Sequence, residues 1–293
     1  MIEEFLAYMR YERNRSGRTL ESYGRNVAIF ERFFKALDGN LTWQTVDADV
    51  VRLWLEDMMD RGNKASSVDC RLSAVKSLYR WALSRGLVEH DPTVDVTGPK
   101  KEKPLPQFVK ESEMDELLDK MSWGQDYVSV LKRTILMTFY ETGIRLSELI
   151  GLDDRDVDFN TRELRVTGKR DKQRIIPFGE ELAETLGDYM RMRNREVERH
   201  DSALFQYYNK GTRVKDKWLR KMVGDELSRV CTLRKRSPHV LRHTFATAML
   251  NHDADLESVR KLLGHVSLST TEVYTHTTFE QLKRVYKGAH PRA

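Results

Sequence analysis

Thr97-Gly98-Pro99-Lys100-Lys101-Glu102-Lys103-Pro104-Leu105-Pro106 divides the chain into two parts of different character. Three prolines, one glycine and four charges stand in it without apolar periodicity. Proline has no backbone donor and restricts the residue before it, so no helix runs through this stretch. It reads as a semi-extended linker over residues 98–107. On its N-terminal side apolar residues recur at helical spacing: Tyr23, Val27, Phe30 and Phe34; Val51, Trp54, Leu55 and Met58; Val68, Leu72, Val75, Tyr79 and Ala82. Asp47 or Asp49 can cap the second of these helices, Ser66 or Ser67 the third, and Gly62 and Gly86 follow helix ends. With Ile2–Tyr11 added, residues 1–97 read as a small bundle of about four helices.

Residues 108–293 read differently. Helices are expected near 111–121, 126–141, 179–196, 214–231, 239–252 and 255–263. Between them, Glu163–Val166 and Arg174–Pro177 read as the arms of a β-hairpin around Gly168-Lys169-Arg170-Asp171-Lys172. Ala203-Leu204-Phe205 reads as a further short strand. The fold expected is mainly α, with a four-helix N-terminal domain and a mixed α+β C-terminal domain carrying a small hairpin or sheet.

The 293 residues, 40% apolar and 32% charged, suffice for two cores. No apolar run approaches the roughly 18–20 residues that a membrane span needs. Met1-Ile2-Glu3-Glu4 carries acid where a secretory signal needs base, so a cytoplasmic location is expected. Cys70 and Cys231 form no CxxC pair, which excludes a disulfide scaffold and a cysteine-based zinc site. The net charge is +5, and it is unevenly spread. Residues 210–236 hold ten basic residues against Asp216, Asp225 and Glu226, either a footprint for a polyanion or a solvated helix face.

Three clusters carry side chains with chemistry. In Thr142-Gly143-Ile144-Arg145-Leu146-Ser147-Glu148-Leu149, a glycine turn opens a short helix with Arg145 at its start. Helix N-termini favour anions, and an arginine there adds a two-pronged donor. In Ser237-Pro238-His239-Val240-Leu241-Arg242-His243, serine followed by proline starts a helix, so His239 and Arg242 share a face of its first turn. In Leu262-Leu263-Gly264-His265, Gly264 ends a helix, and Tyr274 follows nine residues after His265.

Arg145, Lys169, His239, Arg242, His265 and Tyr274 occur in the order, spacing and local context of the tyrosine recombinase/integrase family, and the chain resembles that family over its whole length. Residues 1–97 resemble its SAM-like, DNA-clamping core-binding domain. The Gly264-His265 context and the final His290-Pro291-Arg292-Ala293 resemble the Xer subgroup. The resemblance implies a site-specific recombinase that cleaves and rejoins duplex DNA through a 3′-phosphotyrosyl intermediate and a Holliday junction. It implies no metal, no ATP and no other cofactor, in keeping with the absence of a GxxxxGK[ST] loop. Implied partners are a double-stranded recombination site, a homo-tetramer or a hetero-tetramer with a paralogous recombinase, a septal DNA translocase, and no membrane. Chromosome dimer resolution during cell division is the implied role, with mobile-element integration as the alternative.

The resemblance also implies roles. A phenol with pKa near 10 is about one-thousandth ionised at pH 7, a deficit of about 4 kcal/mol. Tyr274 is the implied nucleophile and His239 the base that relieves this deficit. Arg145 and Arg242 would clamp the non-bridging oxygens, with His265 as a further donor, at about 3 kcal/mol each. Lys169 would protonate the leaving 5′-oxygen, with Lys172 as its neighbouring alternative. Glu148 would orient Arg145 or a histidine. Phe279–Lys287 would form an amphipathic helix with Phe279, Leu282 and Val285 or Tyr286 on its face, docked either on a neighbouring protomer or on its own domain. Arg15, Arg18, Lys64, Arg71 and Lys76 are candidate DNA contacts of the first domain. Competing readings are a metal-dependent nuclease or transposase built on Asp153, Asp154, Asp156 and Asp158, and a DNA-binding protein without catalysis.

Overall fold

The computed structural model describes residues 1–101, 107–168, 172–264 and 276–293, with side chains from 280 onward in the last stretch. The chain forms two compact units, Met1–Pro104 and Leu105–Ala293.

The first unit consists of α1 (Ile2–Tyr11), α2 (Gly17–Leu37), α3 (Ala48–Asp60) and α4 (Ala65–Ser84). The apolar stripes read from the sequence meet in one aromatic core: Phe5, Phe30, Phe34, Trp54 and Tyr79 are buried. Phe30 lies 4.6 Å from Trp54, and Phe34 meets Trp43 edge-on at 5.1 Å. Asp47 caps α3 by accepting from the Val50 N–H at 2.9 Å. The cap expected of Ser66 or Ser67 is not formed. Gly62 (φ +75°) ends α3, and the chain re-enters helix from Lys64, whose carbonyl already accepts from Ser67 N–H at 2.8 Å.

The second unit begins with α5 (Glu111–Asp115), which runs on as a π-helical turn over Glu116–Lys120. There follow α6 (Tyr127–Thr142), α7 (Leu146–Gly151), β1 (Val157–Asp158), β2 (Glu163–Thr167), β3 (Gln173–Pro177), α8 (Glu180–Glu196), α9 (Asp216–Leu227), α10 (Pro238–Asn251), α11 (Leu256–Leu263) and α12 (His276–Ala289). The strands form an antiparallel sheet in the order β1-β2-β3. Its central register pairs Leu164 with Ile176 and Val166 with Arg174. Leu164, Val166 and Ile176 face the core, which period-2 alternation requires.

Two expectations change here. Ala203–Phe205 is not a strand: Ala203 makes a single bridge to Asp153, and the carbonyls of Ala203 and Leu204 accept from the buried Arg193 at 3.2 and 2.7 Å. A side chain satisfies this backbone where a partner strand would have done so. Helix α9 is also shorter than 214–231, because Lys215 is extended and Leu227 closes the last turn. The C-terminal helix packs on its own unit: Leu282, Tyr286 and Ala289 join Phe245 and Met249 of α10 and Val259, Leu262 and Leu263 of α11. Phe279 lies outside the described side chains. Among the described residues no helix is long and apolar enough to cross a membrane.

Candidate active site

Three helix ends meet at one place. The first is the junction of α6 and α7. Gly143 leaves α6 in the left-handed region (φ +56°), and a Cβ there would stand 2.5 Å from the Phe245 ring. Glycine is thus required on both conformational and steric grounds. The turn sets Arg145 as the extended residue at the start of α7, about one-third exposed. Glu148, one turn on, is buried and accepts from the Arg145 backbone N–H at 2.8 Å and from its guanidinium at 2.7 Å.

The second is the start of α10, where Ser237 and Pro238 occupy the two positions read from the sequence. Here the shared face of His239 and Arg242 separates into two environments. Arg242 points inward, is buried, and donates to Gly143 O at 2.6 Å and to Leu263 O. Burial, with the charges of Arg145 and Arg174, brings its pKa down to about 9. His239 is exposed, and its Nε2 lies 3.2 Å from Nε2 of His243. Burial, then the proximity of His239 and Arg242, lowers the His243 pKa.

The third is the end of α11, where Gly264 takes φ +66°. A helix leaves its last carbonyls without intrahelical donors, at the negative end of its dipole. Three guanidiniums fill these places in succession. Arg174 Nε donates to Leu262 O at 3.2 Å, Arg242 to Leu263 O, and Arg145 to Gly264 O at 2.9 Å.

Arg174 is a residue that the reading of the sequence passed over. It reaches Glu148 with both terminal nitrogens, at 2.6 and 2.8 Å. Burial alone would raise the Glu148 carboxyl. The hydrogen bonds and charge of Arg174, with those of Arg145, outweigh burial and hold it at about 2. Among the described residues, Glu148 thus braces two arginines. The available signal was an arginine at an inward-facing position of a strand, two residues before the buried Ile176. The second residue that the motifs do not single out is His243, whose spacing from His239 puts both on one helix face.

Lys169, His265 and Tyr274 lie outside the described residues. On either side of Lys169, Gly168 N–H donates to Lys172 O at 2.8 Å.

The aspartates behind the metal-dependent reading serve the fold. Asp153 pairs with Arg213 at 2.5 Å, and Asp154 pairs with Arg193 and Arg199, both at 2.7 Å. Asp156 accepts from Asp153 N–H, and Asp158 from Asn160 and Thr161 N–H. Among the described residues no three of His, Cys, Asp and Glu gather to hold a metal ion. The basic stretch is also partly spent: Arg213 on Asp153, Arg220 on Asp216, Lys221 on Asp225 and Arg229 on Glu226. Of the first-unit candidates, Arg71 is turned to Asn63 at 3.0 Å.

A helical unit followed by an α+β unit that gathers three arginines at a helix C-terminus, together with full-length likeness to tyrosine recombinases at 37–38% identity, makes the chain a site-specific tyrosine recombinase. The chain belongs to the phage integrase family, which matches residues 107–281, and that family's N-terminal SAM-like domain matches residues 2–86. It is 38% identical to the tyrosine recombinase XerC of Pelotomaculum thermopropionicum over 302 residues, covering 100% of this chain and 98% of that one. It is 37% identical to the XerC of Chlorobaculum tepidum over 318 residues, covering 100% and 94%. Its fold is similar to that of the XerH site-specific recombinase solved on palindromic difH substrate, with TM-score 0.73 and 21% identity over 97% of this chain and 83% of that one. It is also similar to the Tn1549 transposon integrase solved with transposon right-end DNA, with TM-score 0.75 and 19% identity over 98% of both chains.

Proposed function

We propose that the chain cuts and rejoins duplex DNA at a specific site by transferring a phosphoryl group to Tyr274 and back. The observation that carries this reading is the convergence of Arg145 and Arg242, from different helices, on the adjacent carbonyls of Gly264 and Leu263. Two guanidiniums fixed before the substrate arrives cost no reorganisation when charge develops on the non-bridging oxygens. Arg145, partly exposed, is the outer prong; Arg242, buried behind it, is the inner one.

On this reading His239 takes the proton of the Tyr274 phenol, Lys169 gives one to the leaving 5′-oxygen, and His265 adds a hydrogen bond to the phosphate. Glu148 holds Arg145 and takes no proton itself, since its carboxyl stays ionised throughout the working range. The tyrosyl ester conserves the energy of the broken linkage, so a 5′-hydroxyl of a partner duplex can reverse the step without ATP. The family context supports a tetramer on two DNA sites, exchanging strands through a Holliday junction. The full-length likeness to XerC proteins supports chromosome dimer resolution in the cytoplasm, with a paralogous recombinase and a septal DNA translocase as partners.

The test is covalent trapping on a nicked suicide duplex with peptide mapping of the attached residue. Tyr274→Phe is expected to bind the duplex and form no adduct; an adduct that survives this change overturns the assignment. Arg145→Lys is expected to be severely impaired, since an ammonium lacks the planar two-pronged contact. Near-normal turnover would remove Arg145 from the clamp.

A further inference from the structure

Three arginines gather at the end of α11, and the proposed chemistry uses two of them. Arg174 is the third. Its side chain is 9% exposed against 36% for Arg145, so it lies behind the guanidinium offered to solvent. It spends its terminal nitrogens on Glu148 and its Nε on Leu262 O. Of the two, Arg145 is the one more open to a phosphate arriving from solvent.

The contacts of Arg174 nonetheless govern where Arg145 points. Glu148 binds Arg145 at two places, the backbone N–H that opens α7 and the guanidinium. The same two carboxylate oxygens are gripped from the other side by Arg174. The planar fork of Arg174, with one guanidinium nitrogen and the backbone N–H of Arg145, fixes the carboxylate's rotation as well as its position. The carbonyls of Leu262 and Gly264 anchor Arg174 and Arg145 to one helix end. Gly264 makes the fit close: a Cβ there would stand 3.1 Å from Arg174 Cδ and Nε.

We propose that Arg174 is a positioning residue of strand cleavage, which locks Glu148 and the end of α11 so that Arg145 presents its guanidinium to the scissile phosphate. The proposal rests on the reading of Arg145 as a phosphate clamp. Arg174 acts through Glu148 and touches no reacting atom. Its removal leaves a buried carboxyl that has lost its strongest partner, and such a carboxyl takes up a proton at a higher pH than before. A protonated Glu148 holds Arg145 weakly, so cleavage acquires a dependence on acid beyond the one that protonation of the His239 base gives the intact protein.

The experiment is single-turnover adduct formation by the full chain at saturating nicked duplex, from about pH 5 to pH 9, beside equilibrium DNA binding. The variants are Arg174→Met, Arg174→Lys, Glu148→Gln, the Arg174→Met/Glu148→Gln pair, and Arg145→Lys. Misplacement of a clamp by about 1 Å costs up to roughly a hundredfold, so Arg174→Met is expected to slow adduct formation at least about tenfold, with DNA affinity within about threefold of the parent. Its rate relative to the parent is expected to fall further as the pH is lowered, and the added Glu148→Gln change is expected to abolish that additional acid loss. Arg174→Lys, which keeps the charge and loses the second prong, is expected to fall between the two. It decides the matter if the methionine variant does not fold. Parental rates in the Arg174 variants, or a loss in acid steeper than the parent's that persists without the Glu148 carboxyl, would overturn the proposal. If Arg145→Lys cleaves normally, the clamp reading itself fails; if Arg145→Lys is impaired while the Arg174 variants are not, this proposal alone fails.

Discussion

Replacing Glu141 by glutamine should make the C-terminal unit more stable, and the gain should grow with pH. Glu141 sits in the last turn of α6, fully buried. One carboxylate oxygen accepts from Gly179 N–H at 3.2 Å and lies 3.5 Å from the Tyr286 hydroxyl; the other has no partner among the described residues. Burial pushes the carboxyl up to about 8 from its ordinary 4.5. Between these values the native state holds a proton that the unfolded chain has released, so stability falls as pH rises, by about 1.4 kcal/mol per pH unit. The total is about 4–5 kcal/mol, reached near pH 8 and constant above it. His290 acts in the opposite sense. Burial lowers it from 6.5 to about 3, so its contribution is lost as pH falls through that window. Where the windows overlap, between 4.5 and 6.5, the two slopes cancel in the parent protein. The Glu141→Gln comparison isolates the carboxyl, since the amide oxygen can still accept from Gly179 N–H. Native-state hydrogen exchange of α6 amides, read for both proteins at matched pH between about 5 and 8, measures the gap directly. A gap that does not widen with pH would refute the reasoning.

Two further outcomes are expected. Arg193→Met should cost about 2–4 kcal/mol, because it leaves the carbonyls of Ala203 and Leu204 without the buried guanidinium that now serves them and leaves Asp154 to Arg199 alone; a loss below about 1 kcal/mol in thermal unfolding would contradict this. Gly143→Ala should cost about 1–2 kcal/mol for left-handed backbone and a further 1–3 kcal/mol for the overlap with Phe245. It should also slow adduct formation, because Gly143 O anchors Arg242, and parental cleavage would contradict the anchoring.

How much of this was legible beforehand depends on how local each feature is. Helical stripes such as Val51, Trp54, Leu55 and Met58 describe one face of one helix, and that face became core without revision. The proline-rich linker and the hairpin arms are equally local, and the structure has Glu163–Thr167 and Gln173–Pro177 as strands. The short β1 and the failed strand at 203–205 were less legible, because two residues carry no period and Arg193 reaches the carbonyls of Ala203 and Leu204 from another element. Asp153 and Asp154 are taken up by Arg213, Arg193 and Arg199 across the fold, whereas Arg220, Lys221 and Arg229 of the basic stretch pair with acids three or four residues away.

The amino-acid sequence by itself determined the division into a helical and a mixed part, the glycines that end α6 and α11, and the two arginines that open α7 and α10, because each depends on residues within a turn or two of one another. Tertiary structure alone decided that three successive carbonyls of one helix end would receive three guanidiniums, and that Arg174 would stand behind Glu148. A carbonyl left over at a helix terminus carries no mark in the sequence of the donor it will meet, and only packing brings the two together.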